Sequence, residues 1–201
     1  MQVDENVFKA RALYYRLWHY LVSFIEEEKD FLILQELVNH LSSFAFDETS
    51  QNAWQNLKTT LNFESFKNEQ NLVLFSPTYN LVPLSASFYI DKQENALSRL
   101  KAIEILKLSE LEITSPLIKQ KISEDDLSFL TLLMNALLFE CINKDKKAYV
   151  LHERLFKELF HLFCDDFLHR LQTHPKSVCY LNFASILRAF IKHERLFFNL
   201  H

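Results

Sequence analysis

The sequence predicts an all-α fold, a bundle of about seven to eight helices forming a single domain over residues 1–201. Three observations predict it. Apolar residues recur at helical spacing through most of the chain. None of the 201 residues is glycine, so tight hairpins, which need positive φ, are disfavoured. Aliphatic and aromatic residues make up 49% of the chain, 19 of them Phe, which is enough for a substantial core.

Each element follows from its pattern. Tyr14, Leu17, Trp18, Leu21, Phe24 and Ile25 define one face of a first helix. Phe31, Leu34, Leu37, Val38 and Leu41 repeat the spacing in a second, and Trp54, Leu57 and Leu61 mark a shorter third. Glu26, Glu27 and Glu28 read as a solvated helix end. From 62 to 91 the periodicity breaks around Pro77 and Pro83, and this stretch reads as a long ordered loop of the kind that often carries function. Helix resumes near Gln93–Leu108, and Ser115-Pro116 opens a connector. Ser123 suits an N-cap, with Asp126 three residues on, before a helix that is apolar almost all round and therefore central. Two more helices are expected, roughly Lys147–Gln172 and Pro175–Phe198.

Composition excludes several functions. Without glycine there is no Walker loop, no dinucleotide fingerprint and no nucleophile elbow. A net charge of −4 argues against a nucleic-acid binder. Cys141, Cys164 and Cys179 form no CxxC pair and leave an odd thiol, as expected of a reducing compartment. The N-terminus carries acids where a signal peptide needs bases. The apolar run Leu127–Ile142 is too short and too polar to span a bilayer, so the chain reads as cytoplasmic, with no membrane insertion.

Candidate chemistry is sparse. His161, Asp165 and His169 lie at i, i+4 and i+8 beside Cys164, a partial metal shell for which a surface Asp–His pair is the simpler account. Arg11 and Arg16 flank Tyr14 and Tyr15 and read as a solvated face. No nucleophile is marked by a partner. Glu124, Asp125 and Asp126 complement a helix N-terminus, but three acids in a row repel one another, so a partner outside the helix enters consideration.

Three segments together resemble the TorD/DmsD/NarJ family of redox-enzyme maturation chaperones. They are Ala10-Arg11-Ala12-Leu13-Tyr14-Tyr15-Arg16-Leu17, the stretch Val82 to Asp91 (VPLSASFYID), and Ile122-Ser123-Glu124-Asp125-Asp126. The second is similar to that family's Pro-x-x-x-Ser-x-Tyr/Trp-Leu-Asp segment, through Pro83, Ser87, Tyr89 and Asp91. The third is similar in place to its Glu-Pro-x-Asp-His signature. Asp125 stands at the family's Asp, Asp126 stands where its His is usual, and Ile122 and Ser123 replace its Glu and Pro.

The resemblance implies a binding protein without catalytic turnover. Such a chaperone holds the twin-arginine signal peptide and the apo-form of a molybdenum or tungsten oxidoreductase catalytic subunit, formate dehydrogenase being one candidate client. It assists cofactor insertion before export. It would act as a monomer or weak dimer with no stably bound cofactor, although transient contact with the client's molybdenum cofactor is compatible. The residues implied for signal-peptide binding are Asp125, Asp126 and Glu124 for the arginines. Tyr79, Pro83, Ser87, Tyr89 and Tyr15 are implied for the walls of an apolar groove. Two alternatives stand beside this reading: a helical adaptor or assembly factor for a folded redox subunit, and a metal-dependent helical enzyme around His161, Asp165 and His169.

Overall fold

The computed structural model describes residues 5–77, 80–112, 114–115 and 122–200. Its helices are α1 (Glu5–Val22), α2 (Glu28–Leu41), α3 (Glu48–Thr60), α4 (Phe63–Gln70), α5 (Ala86–Ile90), α6 (Leu97–Ser109), α7 (Leu127–Ile142), α8 (Lys146–Leu155), α9 (His161–Thr173) and α10 (Cys179–Phe197). π turns follow α4 at Asn71–Phe75 and α8 at Phe156–Phe160. Among the described residues there is no strand, only an isolated antiparallel bridge between Ser85 and Asp126. The all-α class is as the sequence predicts. None of the described helices is long and apolar enough to cross a membrane.

The stretch 62–91 holds more helix than the expected loop. Asn62 caps α4 by accepting from the Ser65 N–H, and α5 adds one further turn or so, leaving irregular backbone among the described residues chiefly at 76–77 and 80–85. Both segments are too short to show a helical period, which is why the pattern looks broken.

The chain groups into two compact units, Met1–Ser23 with Leu84–Phe163, and Phe24–Pro83 with Cys164–His201. In the first, α7 is the central rod, packed on α1 and on α8. Its polar interior residues are answered. Asn135 Nδ2 donates to the Ala12 carbonyl of α1 at 2.7 Å. His19 of α1 holds the other end of the contact. Its Nδ1–H donates to the Ser128 carbonyl at 2.9 Å, so Nε2, also at 2.9 Å, accepts from the Ser115 hydroxyl. Burial lowers the His19 pKa from 6.5 to about 4, with the Ser128 bond opposing it, and fixes a neutral ring. Around α1 and the π turn after α8, Tyr15, Trp18, Phe160 and Phe163 meet edge to face or tilted, with centroids 5.0–5.6 Å apart. Each such ring contributes roughly 1.5–3 kcal/mol by burial. Arg11, expected on a solvated face, is buried, while Arg16 is exposed with its guanidinium over Tyr20. Cys141 packs on the apolar side of α7, where burial pushes its thiol up to about 11.

In the second unit α3 lies on α10 and on α2. Phe66 of α4 packs against Phe31, Tyr180 and Phe183. Buried Glu69 accepts the N–H groups of Val178, Cys179 and Tyr180 at 2.7, 2.9 and 2.8 Å. A carboxylate on these orphan donors satisfies them and complements the helix dipole. This is why α10 starts at Cys179 and not near Pro175.

Left-handed backbone occurs at Lys92, Asn95, Glu110, Lys144 and Asn199, of which Glu110 is the C-cap of α6.

Two outcomes are expected. A His whose folded pKa is depressed binds fewer protons folded than unfolded, so stability is complete above pH 6.5 and declines as pH falls toward about 4. The loss from His19 is about 3 kcal/mol. His152, also buried and lowered, adds to it. Denaturant titrations across this range should show the decline, and His19→Asn should flatten it; an unflattened slope would assign it elsewhere. Glu69→Ala should cost on the order of 2–4 kcal/mol by stranding three backbone donors, those of Cys179 and Tyr180 buried, read as a shift in the urea midpoint.

Candidate functional site

Two segments about forty residues apart in sequence meet at the start of α7. The backbone joins them first: the Ala86 N–H donates to the Asp125 carbonyl at 2.9 Å, and the Leu127 N–H to the Leu84 carbonyl at 2.8 Å. The Asp125 side chain then closes the joint. One carboxylate oxygen accepts from the Ser85 hydroxyl at 2.8 Å and from the Ser87 N–H at 3.2 Å, and the other accepts from the Ser123 hydroxyl. Burial raises the Asp125 pKa, but the bonds from Ser123, Ser87 and Ser85 outweigh it and hold the carboxyl below the usual value. A buried anion is held here by hydroxyl and amide donors.

Asp126, not Ser123, is the N-cap of α7. It accepts from the Ser128 N–H at 2.8 Å and the Ser128 hydroxyl at 2.5 Å. The expected position was three residues early because Ser123 to Asp126 form a turn, with the Asp126 N–H bonded to the Ser123 carbonyl. Burial, with the Asp125 charge adding to it, raises the Asp126 pKa against the Ser128 bonds. Glu124 accepts from Arg99 Nε of α6 at 2.8 Å, an ion pair whose side chains are 36% and 24% exposed. Asp91, at the end of α5, accepts from the Ser98 N–H at 2.9 Å and so aligns the first turn of α6.

The turn at 123–126 therefore presents Glu124 and Asp126 at a half-open edge, with the first turn of α6 beside it. There Leu97 and Leu100 are 69% and 61% exposed.

The structure brings Glu124, Asp125, Asp126 and Ser87 together but gives them different positions. Asp125 is 1% exposed and Ser87 fully buried, so neither faces an incoming peptide in this conformation, contrary to the expectation for them. Tyr89 and Tyr15 are corrected likewise. Tyr89 packs on Phe163, and Tyr15 lies edge-on to His152 and Phe160, so both rings belong to the core and do not line an open groove. Their aromatic character looks the same in sequence whether it faces a ligand or a helix. Pro83 is half-buried, following Val82, whose N–H is bonded to the Val73 carbonyl. Tyr79 lies outside the described residues.

Sequence reasoning missed Ser85, although it stood in the quoted segment, and it missed Arg99, Leu97 and Leu100. Nothing local marks Arg99, because its partner is 25 positions away.

The candidate metal face resolves differently. Asp165 is paired to Arg195 at 2.8 Å, and a guanidinium beside a would-be ligand opposes a bound cation. Among the described residues no group of three His, Cys, Asp or Glu side chains could hold a metal ion. Asp165 and Arg195 instead border an open depression of about 420 Å³ with Asp47, Gln172, Arg188 and Lys192.

Asp125→Ala should destabilise the protein by on the order of 2–4 kcal/mol, since three donors lose a buried acceptor. Asp126→Ala, at a helix cap, should cost about 1 kcal/mol. Equal midpoints for the two variants in urea would refute this division of roles.

No family model matches the chain, and no curated protein is similar to it. Among solved structures it is similar to a protein from Archaeoglobus fulgidus provisionally named a redox enzyme maturation protein. The TM-score is 0.62 at 15% identity, covering 90% of this chain and 93% of that one. The resemblance read from three short segments thus extends to the fold: this chain folds as that redox enzyme maturation protein does.

Proposed function

We propose that this protein is a cytoplasmic maturation chaperone. In this reading it binds the twin-arginine signal peptide of a molybdenum or tungsten oxidoreductase, holds the apo-subunit while cofactor is inserted, and catalyses no reaction itself. The observation that carries the reading is the joint at Asp125. It unites the two segments singled out in the sequence and leaves an acidic edge, Glu124 and Asp126, next to exposed Leu97 and Leu100. A signal peptide offers the complement, guanidinium groups followed by an apolar run. Charge-assisted bonds to Glu124 and Asp126 orient it, about 1.5–3 kcal/mol for an acid not already paired and less at Glu124, which holds Arg99, and apolar burial adds affinity. Asp125, Ser87, Tyr89 and Tyr15 act at one remove, by fixing the edge. The fold shared with a redox enzyme maturation protein supports the same reading. Formate dehydrogenase remains one candidate client, and passing contact with its molybdenum cofactor fits a protein that holds the apo-subunit.

A second reading, an adaptor for a folded redox subunit, draws on α10. Its outer face carries exposed Val178, Leu181 and Leu196, away from the Asp125 joint in sequence. Capture of a mature subunit lacking its leader would favour it.

Titrating the purified chain with twin-arginine leader peptides tests the first reading. Binding should weaken about five- to tenfold in Asp126→Asn and by a smaller factor in Glu124→Gln, where the leader only replaces the Arg99 contact, with helical circular dichroism unchanged. Failure to bind any such leader would overturn the function, and unaltered binding by both variants would overturn the site.

A further inference from the structure

Arg99 and Glu124 form a contact that the leader-binding reading does not itself require. Arg99 sits in the first turn of α6, its Nε 2.8 Å from a Glu124 carboxylate oxygen. The pair is neither sealed nor fully solvated, at 36% and 24% exposure, so its partners can exchange. Residues on a helix advance by about 100°. Leu100 therefore lies one step round α6 from Arg99, on the outward side, and Leu97 stands beside Leu100 one turn earlier. Leu108, 42% exposed, lies two turns farther on, beyond Glu104 and its Arg154 partner. The same edge thus holds a guanidinium on an acid, with exposed Leu97 and Leu100 beside it. That is the pattern a bound segment would repeat: arginine first, apolar residues next.

We propose that Arg99 is a resident occupant of the arginine slot at Glu124, displaced when an arginine-bearing apolar segment docks against Leu97 and Leu100 at the start of α6. The inference rests on the leader-binding reading and adds a specificity device to it. A ligand must offer more than one favourable charge contact, because one merely replaces the internal pair. Two neighbouring guanidinium groups satisfy this, one displacing Arg99 at Glu124 and the other reaching Asp126. A single arginine or an uncharged apolar helix gains little. Lysine is disfavoured as well, since an ammonium does not reproduce the planar contact that Arg99 gives up.

The test uses the full chain and a fluorescent peptide of two adjacent arginines followed by about ten apolar residues, with single-arginine and double-lysine peptides as controls. Arg99→Ala and Arg99→Gln should bind the double-arginine peptide about two- to fivefold more tightly than the wild type, the range of a part-exposed ion pair. The single-arginine peptide should gain by at least as large a factor, narrowing the preference for two. Adding Glu124→Gln should cancel the gain, and Leu97→Ser with Leu100→Ser should weaken all binding about fivefold. Circular dichroism should show each variant folded, and the glutamine variant keeps most of the Arg99 stem. If the wild type binds the double-arginine peptide and neither Arg99 variant binds more tightly, the displacement idea is overturned while the leader-binding reading stands. If neither the wild type nor the Arg99 variants bind any arginine peptide, the reading and the inference fall together.

Discussion

A single buried carboxylate sets the geometry of the candidate site. Asp125 accepts from Ser85, Ser87 and Ser123; Ser85 and Ser123 lie outside the helices, and the Ser87 N–H is in the first turn of α5, where it has no intrahelical acceptor. A carboxylate in that position has to be fully satisfied, because an unanswered buried charge costs several kcal/mol. The demand runs in both directions. Serines without Asp125 would be stranded donors, and Asp125 without serines would be a stranded anion. Because the requirement is mutual, the start of α7 and the entry to α5 have one relative placement, and through Asp91 and Ser98 so does the first turn of α6.

The second unit uses the same physics. Glu69 gathers three N–H groups at the head of α10, as Asp125 gathers donors at the head of α5. In both cases an acid from elsewhere in the chain decides where a helix begins. The difference lies in what remains exposed. Around Glu69 the donors are consumed, whereas around Asp125 two further acids stay at the edge. Of these, Asp126 caps α7 and Glu124 holds Arg99, so each keeps a structural partner while remaining part-exposed.

That distinction explains what was legible in the sequence. The helices with long periodic faces, α1, α2, α3 and α7, are written in the spacing of their apolar residues, because burial of one face is a local property of the pattern. α4 and α5 escaped because eight and five residues do not complete enough turns to show a period. The site was half legible. The segments carrying Ser87 and Asp125 could be picked out as a pair, but whether Tyr15 and Tyr89 face a ligand or a neighbouring helix depends on tertiary packing. Arg99 was illegible, since nothing around it in the chain announces an acid 25 residues downstream. Ser123 misled for a related reason: a serine before an apolar run caps a helix only if the helix begins there, and a turn intervened.

Among the described residues the left-handed corners are made without glycine, at two lysines, two asparagines and a glutamate. A chain of this length would ordinarily contain about fourteen glycines. Each one omitted removes freedom from the denatured ensemble and leaves fewer disordered states to compete with the native one. Non-glycine residues in the left-handed region oppose this with local strain, felt only where the native backbone needs that turn. The balance favours a protein whose disordered form is unusually stiff, a property carried by every residue of the chain and visible in none of its contacts.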